Sequence, residues 1–131
     1  MAVDRRADWC AAQLHQSCSL FVPIPSDSRY GALMMIETAC AALRSKRALE
    51  LHYDGYVRVV EVHAVGWTRA GDAAMRVWQA SGGSARGERQ GWKLLKITEA
   101  SGAAVRDEPA QVPRRGYKRG DAALDRIVCE L

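Results

Sequence analysis

No apolar run in this chain is long enough to cross a bilayer. The longest, Gly31 to Ala42, is broken by Glu37 and falls short of the roughly 20 residues a membrane helix needs. No stretch of secretory length follows the opening Met-Ala-Val-Asp-Arg-Arg, so a signal peptide is not expected and the expected location is cytoplasmic, with no membrane partner. The four cysteines, Cys10, Cys18, Cys40 and Cys129, are scattered and form no C-x-x-C pair, which argues against structural disulfides. Cys10, His15 and Cys18 lie near one another, but a fourth ligand is missing and the spacing fits no common finger. They read as thiols on a helix, and no metal or cofactor is expected. The stretch Ser81 to Glu88 is rich in glycine yet lacks the Gly-Lys-Ser/Thr ending and the following helix of a phosphate loop. His52, His63 and Glu61 have no serine or cysteine nucleophile beside them in a recognisable motif, so catalysis is not expected. There is also no internal repeat.

What the chain has is enough for one core. Its 131 residues are 48% hydrophobic and 26% charged, with a mean hydropathy of -0.23, the profile of a single globular domain. The net charge of +4 and pI near 9.1 favour an anionic partner without demanding one. The positive charge is clustered: Arg86 and Arg89 share the glycine-rich loop, and Arg114, Arg115, Lys118 and Arg119 bracket Tyr117. Each cluster reads either as a solvated loop or as an anion contact.

Three regions follow from the patterning. Residues 1–30 form an N-terminal extension with a short helix over Asp4 to Ser17, then a connector through Pro23 and Pro25. Residues 31–108 hold a helix and a small barrel. From about Arg29 to Lys46, Leu33, Ile36, Ala39, Cys40 and Leu43 recur at helical spacing, and cations gather at the C-terminal end. Strands follow at Leu49 to Tyr53, from Val57 onward, at Ala73 to Ala80, Trp92 to Thr98 and Val105 to Glu108. A three-residue loop of Tyr53, Asp54 and Gly55 sets Leu51 opposite Val57, Glu50 opposite Arg58 and Leu49 opposite Val59. That register places Leu49, Leu51, Val57 and Val59 inside and an ion pair outside. The apolar parity slips after Val59, which predicts a bulge near Val59 and Val60. Residues 109–131 read as a basic loop and a short helix over Asp121 to Glu130, with Ala123, Leu124, Ile127 and Val128 at helical spacing. Trp67, Trp78 and Trp92 fall on or beside strands, where tryptophan more often fills a core than offers a stacking platform.

These elements make an α+β fold: a small SH3/Sm-like antiparallel β-barrel of about five strands, with a preceding amphipathic helix and a short C-terminal helix. From Met35 to Thr98 the chain resembles a WYL domain, an Sm-like, SH3-type barrel found beyond a winged helix in bacterial regulators. The resemblance rests on Ala42-Leu43-Arg44, the strand Leu49 to Tyr53, Asp54-Gly55, Val57 to Val62, and Gly91-Trp92-Lys93-Leu94-Leu95-Lys96-Ile97. The naming Trp-Tyr-Leu triplet is absent at Ala74, Met75 and Arg76, and the segment before the helix is too short for a complete winged helix. The resemblance implies a regulatory module that binds a nucleotide or single-stranded nucleic acid, as a homo-oligomer or with a separate DNA-binding protein. The ligand-binding positions it implies are Tyr53, Arg58, His63, Arg76 and Lys93, with accessory anion contacts from Arg86, Arg89, Arg114, Arg115 and Lys118. An oligomerising structural or adaptor protein is the alternative, and an unrecognised enzyme a distant third.

Overall fold

The strand β2 (Tyr56–Trp67) organises the molecule, because it is long, rich in valine, and bordered along its whole length. A computed structural model describes residues 28–84, 87 and 89–131, with the backbone alone for 28–30. The helix expected over Asp4 to Ser17, the cysteines Cys10 and Cys18, and Arg86 lie outside the described residues. The chain runs through α1 (Ser28–Ser45), β1 (Arg47–Tyr53), β2, β3 (Ala73–Gly82), β4 (Gly91–Lys96), a 3-10 turn (Ile97–Glu99), β5 (Ala100–Pro109) and β6 (Arg126–Glu130). All pairings are antiparallel, in the order β4-β3-β2-β1-β5, with β6 added to β2. One edge of β2 belongs to β3. The other is shared: β1 takes residues Tyr56 to Val60, and β6 takes Ala64 to Trp67.

The α+β class is as expected, but two of its details are not. The two ends of the strand path, β4 and β5, share no ladder, so the sheet is not closed into a barrel. The 3-10 turn sits where a ladder would continue, and the Tyr53 hydroxyl from β1 accepts the Lys96 N–H instead, at 3.1 Å. The expected C-terminal helix is replaced by β6. Its buried side chains go to both faces, with Cys129 in the inner core and Ile127 against the Ala64–Leu124 cluster outside while Arg126 and Val128 are exposed, and pairing with the vacant stretch of β2 satisfies backbone groups that an isolated short helix would leave to water.

The hairpin register also needs correction. Asp54 and Gly55 both take left-handed φ values, 51° and 78°, which makes a two-residue loop of the kind that Asp-Gly favours. Leu51 therefore faces Arg58, Glu50 faces Val59, and Tyr53 faces Tyr56. Leu49 and Leu51 are buried as expected, whereas Val57 is 47% exposed and Val59 half-buried. Arg58 is inside, 3% exposed, and Glu50 pairs with Arg106 of β5. An irregularity does occur at Val59 and Val60, where the extra residue is Ala80 on β3, and a second leaves His63 unpaired between Val62 and Ala64.

The core lies between α1 and the inner face of the sheet. Met35, Ile36, Ala39, Cys40 and Leu43 meet Leu49, Leu51, Val60, Val62, Val65, Met75, Val77 and Ile97. Leu33, expected on that stripe, is 55% exposed, and Ala32 and Ala42 take its share of the buried face. The outer face of β2 is covered by residues 110–125, which cross it and contribute Leu124 to a small cluster with Ala64 and Ala74. Burial on both faces explains why Val60 to Gly66 show no alternation. At Gly66 a Cβ would collide with the Arg126 carbonyl oxygen, so the close approach of β6 requires glycine there.

Cys40 and Cys129 are joined in a disulfide, against the expectation of free thiols. They are 89 residues apart in sequence, and only the docking of β6 beside α1 brings them together. Closing a ring of that length contributes about 4–5 kcal/mol in the chain-entropy account. Replacing both cysteines by serine should lower the unfolding free energy by about 2–5 kcal/mol in a urea titration. Leu43→Ala, in the core with the disulfide intact, should cost about 2–4 kcal/mol in the same assay.

Candidate functional site: an aromatic and basic cleft

The bulge at His63 turns both His63 and Ala64 toward the outer face, beneath the segment 110–117. His63 is fully buried. Its Nδ1 lies 2.9 Å from the Glu61 carbonyl oxygen, and its Nε2 accepts the Arg114 N–H at 2.9 Å. Glu61, 4% exposed, accepts from Arg114 Nε at 2.6 Å and Nη2 at 3.2 Å, and from the Gln111 N–H at 3.1 Å. The segment is thus held by two buried side chains of one strand.

Aromatic rings surround this anchor. Trp92 from β4 sits 4.7 Å from the His63 ring, Tyr117 5.1 Å from it, and Trp78 from β3 meets Trp92 edge-on at 5.5 Å. The guanidinium of Arg114 lies 5.3 Å over Trp78. Trp92 and Tyr117 are close to parallel, 27° apart, with centroids separated by 6.5 Å. The Trp92 indole N–H donates to the Arg115 carbonyl, and Gly116, at φ 96°, lets the chain turn there against the indole edge.

Beside these rings is a cleft of about 370 Å³ lined by Arg76, Trp92, Tyr117, Lys118, Arg119 and Asp121. Two of its cations are already paired: Arg76 with Asp121 at 2.6 Å, and Arg119 with Glu130 at 3.0 Å. Lys118 and, next to the cleft, Arg115 are exposed to solvent. The arrangement offers flat apolar faces, solvent-facing cations and fixed ion pairs, the kinds of group that can stack on a planar ring and pair with an anion.

The charges are set by their neighbours. Burial opposes ionisation of Glu61, but the Arg114 and Gln111 hydrogen bonds and the Arg114 charge outweigh it and hold the carboxyl below its ordinary value. Burial pushes the His63 imidazole down, and the attraction of Glu61 does not offset it. The Arg76 hydrogen bonds lower Asp121. Burial raises the Tyr117 phenol, so it is neutral in the cleft wall.

The residues nominated from sequence fall into two groups. His63, Arg76, Arg114, Arg115 and Lys118 share the outer face. Tyr53, Arg58 and Lys93 share the inner face, where Leu51 faces Arg58 and Val77 faces Lys93. Arg58 donates to Gln79 Oε1 at 3.3 Å and lies 5.0 Å over the Tyr53 ring; among the described residues the half-exposed Asp54 carboxylate is its ion-pair partner, at 4.0 Å, and its Nε has no hydrogen-bond partner. Lys93 Nζ is 3.4 Å from Ser84 Oγ. Arg89 is exposed at the far end of β3, where its carbonyl accepts from Gln79. Sequence reasoning passed over Glu61 as an anchor and gave Trp78 and Trp92 to the core, whereas both tryptophans are half-buried on the outer face. The signal for the cleft was Tyr117 inside a run of arginine and lysine.

The chain matches no protein-family model, no curated protein and no solved structure.

Removing the Arg114 side chain leaves Glu61 buried without its cation. Arg114→Ala should destabilise the fold at neutral pH by about 3 kcal/mol, at the low end for a broken buried pair because Arg114 is partly exposed. Glu61 and Asp121 have lowered pKa values in the fold, so their contribution is present above the ordinary carboxyl values of 4.5 and 3.8 and is lost as pH falls through the lowered ones. The gap between wild type and Arg114→Ala in thermal unfolding should therefore narrow in acid.

Proposed function

We propose that this chain is a non-catalytic regulatory module that binds a nucleotide or single-stranded nucleic acid in the outer-face cleft. The observation that carries the reading is the near-parallel Trp92 and Tyr117 pair beside Arg76, Arg115 and Lys118. Bases stack on aromatic faces with little regard to sequence, and flanking cations track the phosphates. A cleft of this size takes one nucleotide unit, so a longer strand would lie across it with one base inserted. The strand order β4-β3-β2-β1-β5, with a 3-10 turn between β4 and β5, supports an SH3- or Sm-like reading of the sheet and the resemblance to WYL domains. On that reading a separate DNA-binding chain carries any direct action on a promoter.

A second reading, an oligomerising structural or adaptor protein, draws on apolar side chains left on the surface. Leu33, Met34, Val57, Leu94 and Val128 are all more than a third exposed, and β4 and β5 each have a free edge among the described residues.

Fluorescence anisotropy with labelled single-stranded DNA, RNA and a nucleotide panel decides between them. Binding should weaken as salt rises, and changing both Arg115 and Lys118 to Ala should flatten that dependence by roughly 0.7 in the logarithmic slope for each phosphate no longer neutralised. Trp92→Ala should weaken binding by about 1–3 kcal/mol, the range for one base stacked on an aromatic ring. Arg58→Ala serves as the contrast: if it removes binding and the cleft variants do not, the ligand sits on the inner face. No binding of any probe at low salt, together with a stable dimer or ring by light scattering, gives the adaptor reading first place.

A further inference from the structure

We propose that His63 is an acid-sensitive latch: protonation of its Nε2 releases the main chain at Arg114, and with it the segment that covers the outer face of the sheet. The two groups that meet the imidazole leave it a single neutral form. The Glu61 carbonyl, 2.9 Å from Nδ1, can only accept, so Nδ1 carries the proton. The Arg114 backbone nitrogen, 2.9 Å from Nε2, can only donate, so Nε2 must present its lone pair. A second proton on Nε2 would set two N–H groups against each other at that distance. The ring has no room to turn away, since Trp92 and Tyr117 crowd it at 4.7 and 5.1 Å. It is fully buried, so the proton is accommodated only when the Arg114 main chain leaves.

The surrounding charges allow that exchange. On β2, Glu61 is the only carboxylate beside the ring, and in the latched state it is occupied by Arg114 and Gln111. On β3, Arg76 is held by Asp121; on β6, Glu130 is held by Arg119; β4 presents Trp92, which does not titrate. The Tyr117 phenol is neutral. When the segment leaves, Glu61 loses one cation and the newly charged His63 beside it supplies another. The opened state is thus spared a buried, uncompensated carboxylate, whose penalty would otherwise oppose opening. Burial also keeps the latched imidazole below its ordinary value of 6.5, which places the switch on the acid side of neutrality. Nothing in this latch requires a ligand, so it stands or falls apart from the binding proposal.

Amide hydrogen exchange by NMR on the full chain tests it, with protection factors corrected for the intrinsic pH dependence. Below about pH 6.5 the Arg114 amide should lose protection tenfold per pH unit, the slope of one linked proton, while Val62 and Val77 in the β2–β3 ladder keep theirs. In His63→Gln, which cannot take up a proton, Arg114 protection should be flat over the same range. The wild-type His63 ring nitrogens, followed in the same samples, decide the matter even if that variant does not fold. The proposal is overturned if Arg114 stays protected after His63 has taken its second proton, or if Val62 and Val77 lose protection together with it.

Discussion

Everything in this molecule depends on β2 being covered on both faces and both edges. A strand with one wet face needs only a helix and two neighbours; this one also needs residues 110–125 over its outer face and a second strand, β6, on the stretch of edge that β1 does not reach. The cover brings polar groups with it, because backbone crossing a sheet must place its N–H groups somewhere. Here the Gln111 and Arg114 N–H groups go to Glu61 and His63, two polar side chains within the buried run from Val60 to Gly66. Their burial costs desolvation, which the bidentate Arg114 contact and the histidine bond offset.

The same cover makes the cleft. Once the segment is fixed at Arg114, the next residues turn at Gly116 and lay Tyr117 near Trp92, and the chain then returns past Arg76 through Asp121 on its way into β6. The site is therefore a by-product of the way the sheet is protected, and its rigidity depends on two buried anchors and one disulfide. The inner face carries a different polar group: Arg58 with Gln79 and Tyr53, at the end of the core away from β6. Two chemically distinct basic positions thus lie on opposite faces of one sheet.

Much of the architecture was legible from residues that act locally. The helix follows from apolar residues at i, i+3 and i+4, and the strands of the sheet from valine-rich runs between Asp-Gly, Ala-Gly-Asp and glycine-rich breaks. The hairpin register was not, because like polarity favours Leu51 opposite Val57, whereas the two-residue turn at Asp54 and Gly55 sets it opposite Arg58. Arginine is tolerated inside because it lies at the end of the sheet, where Gln79 and two tyrosine rings meet it. The last strand is illegible for a related reason: Ile127 and Val128 fit a helical period as well as they fit an alternating one, and five residues do not distinguish the two.

The sequence by itself determined the α+β class, the helix, the strands through β4 and the second half of β5, and the clustering of positive charge around Tyr117, because each is a pattern within one short segment. The tertiary structure alone decided the Cys40–Cys129 disulfide, the pairing of Arg114 with Glu61, the docking of β6 on β2 and the split of the basic residues between two faces. Arg114 and Glu61 lie 53 residues apart in the chain, and Cys40 and Cys129 lie 89 apart. No local pattern encodes them; they meet only because β2 needed a second cover.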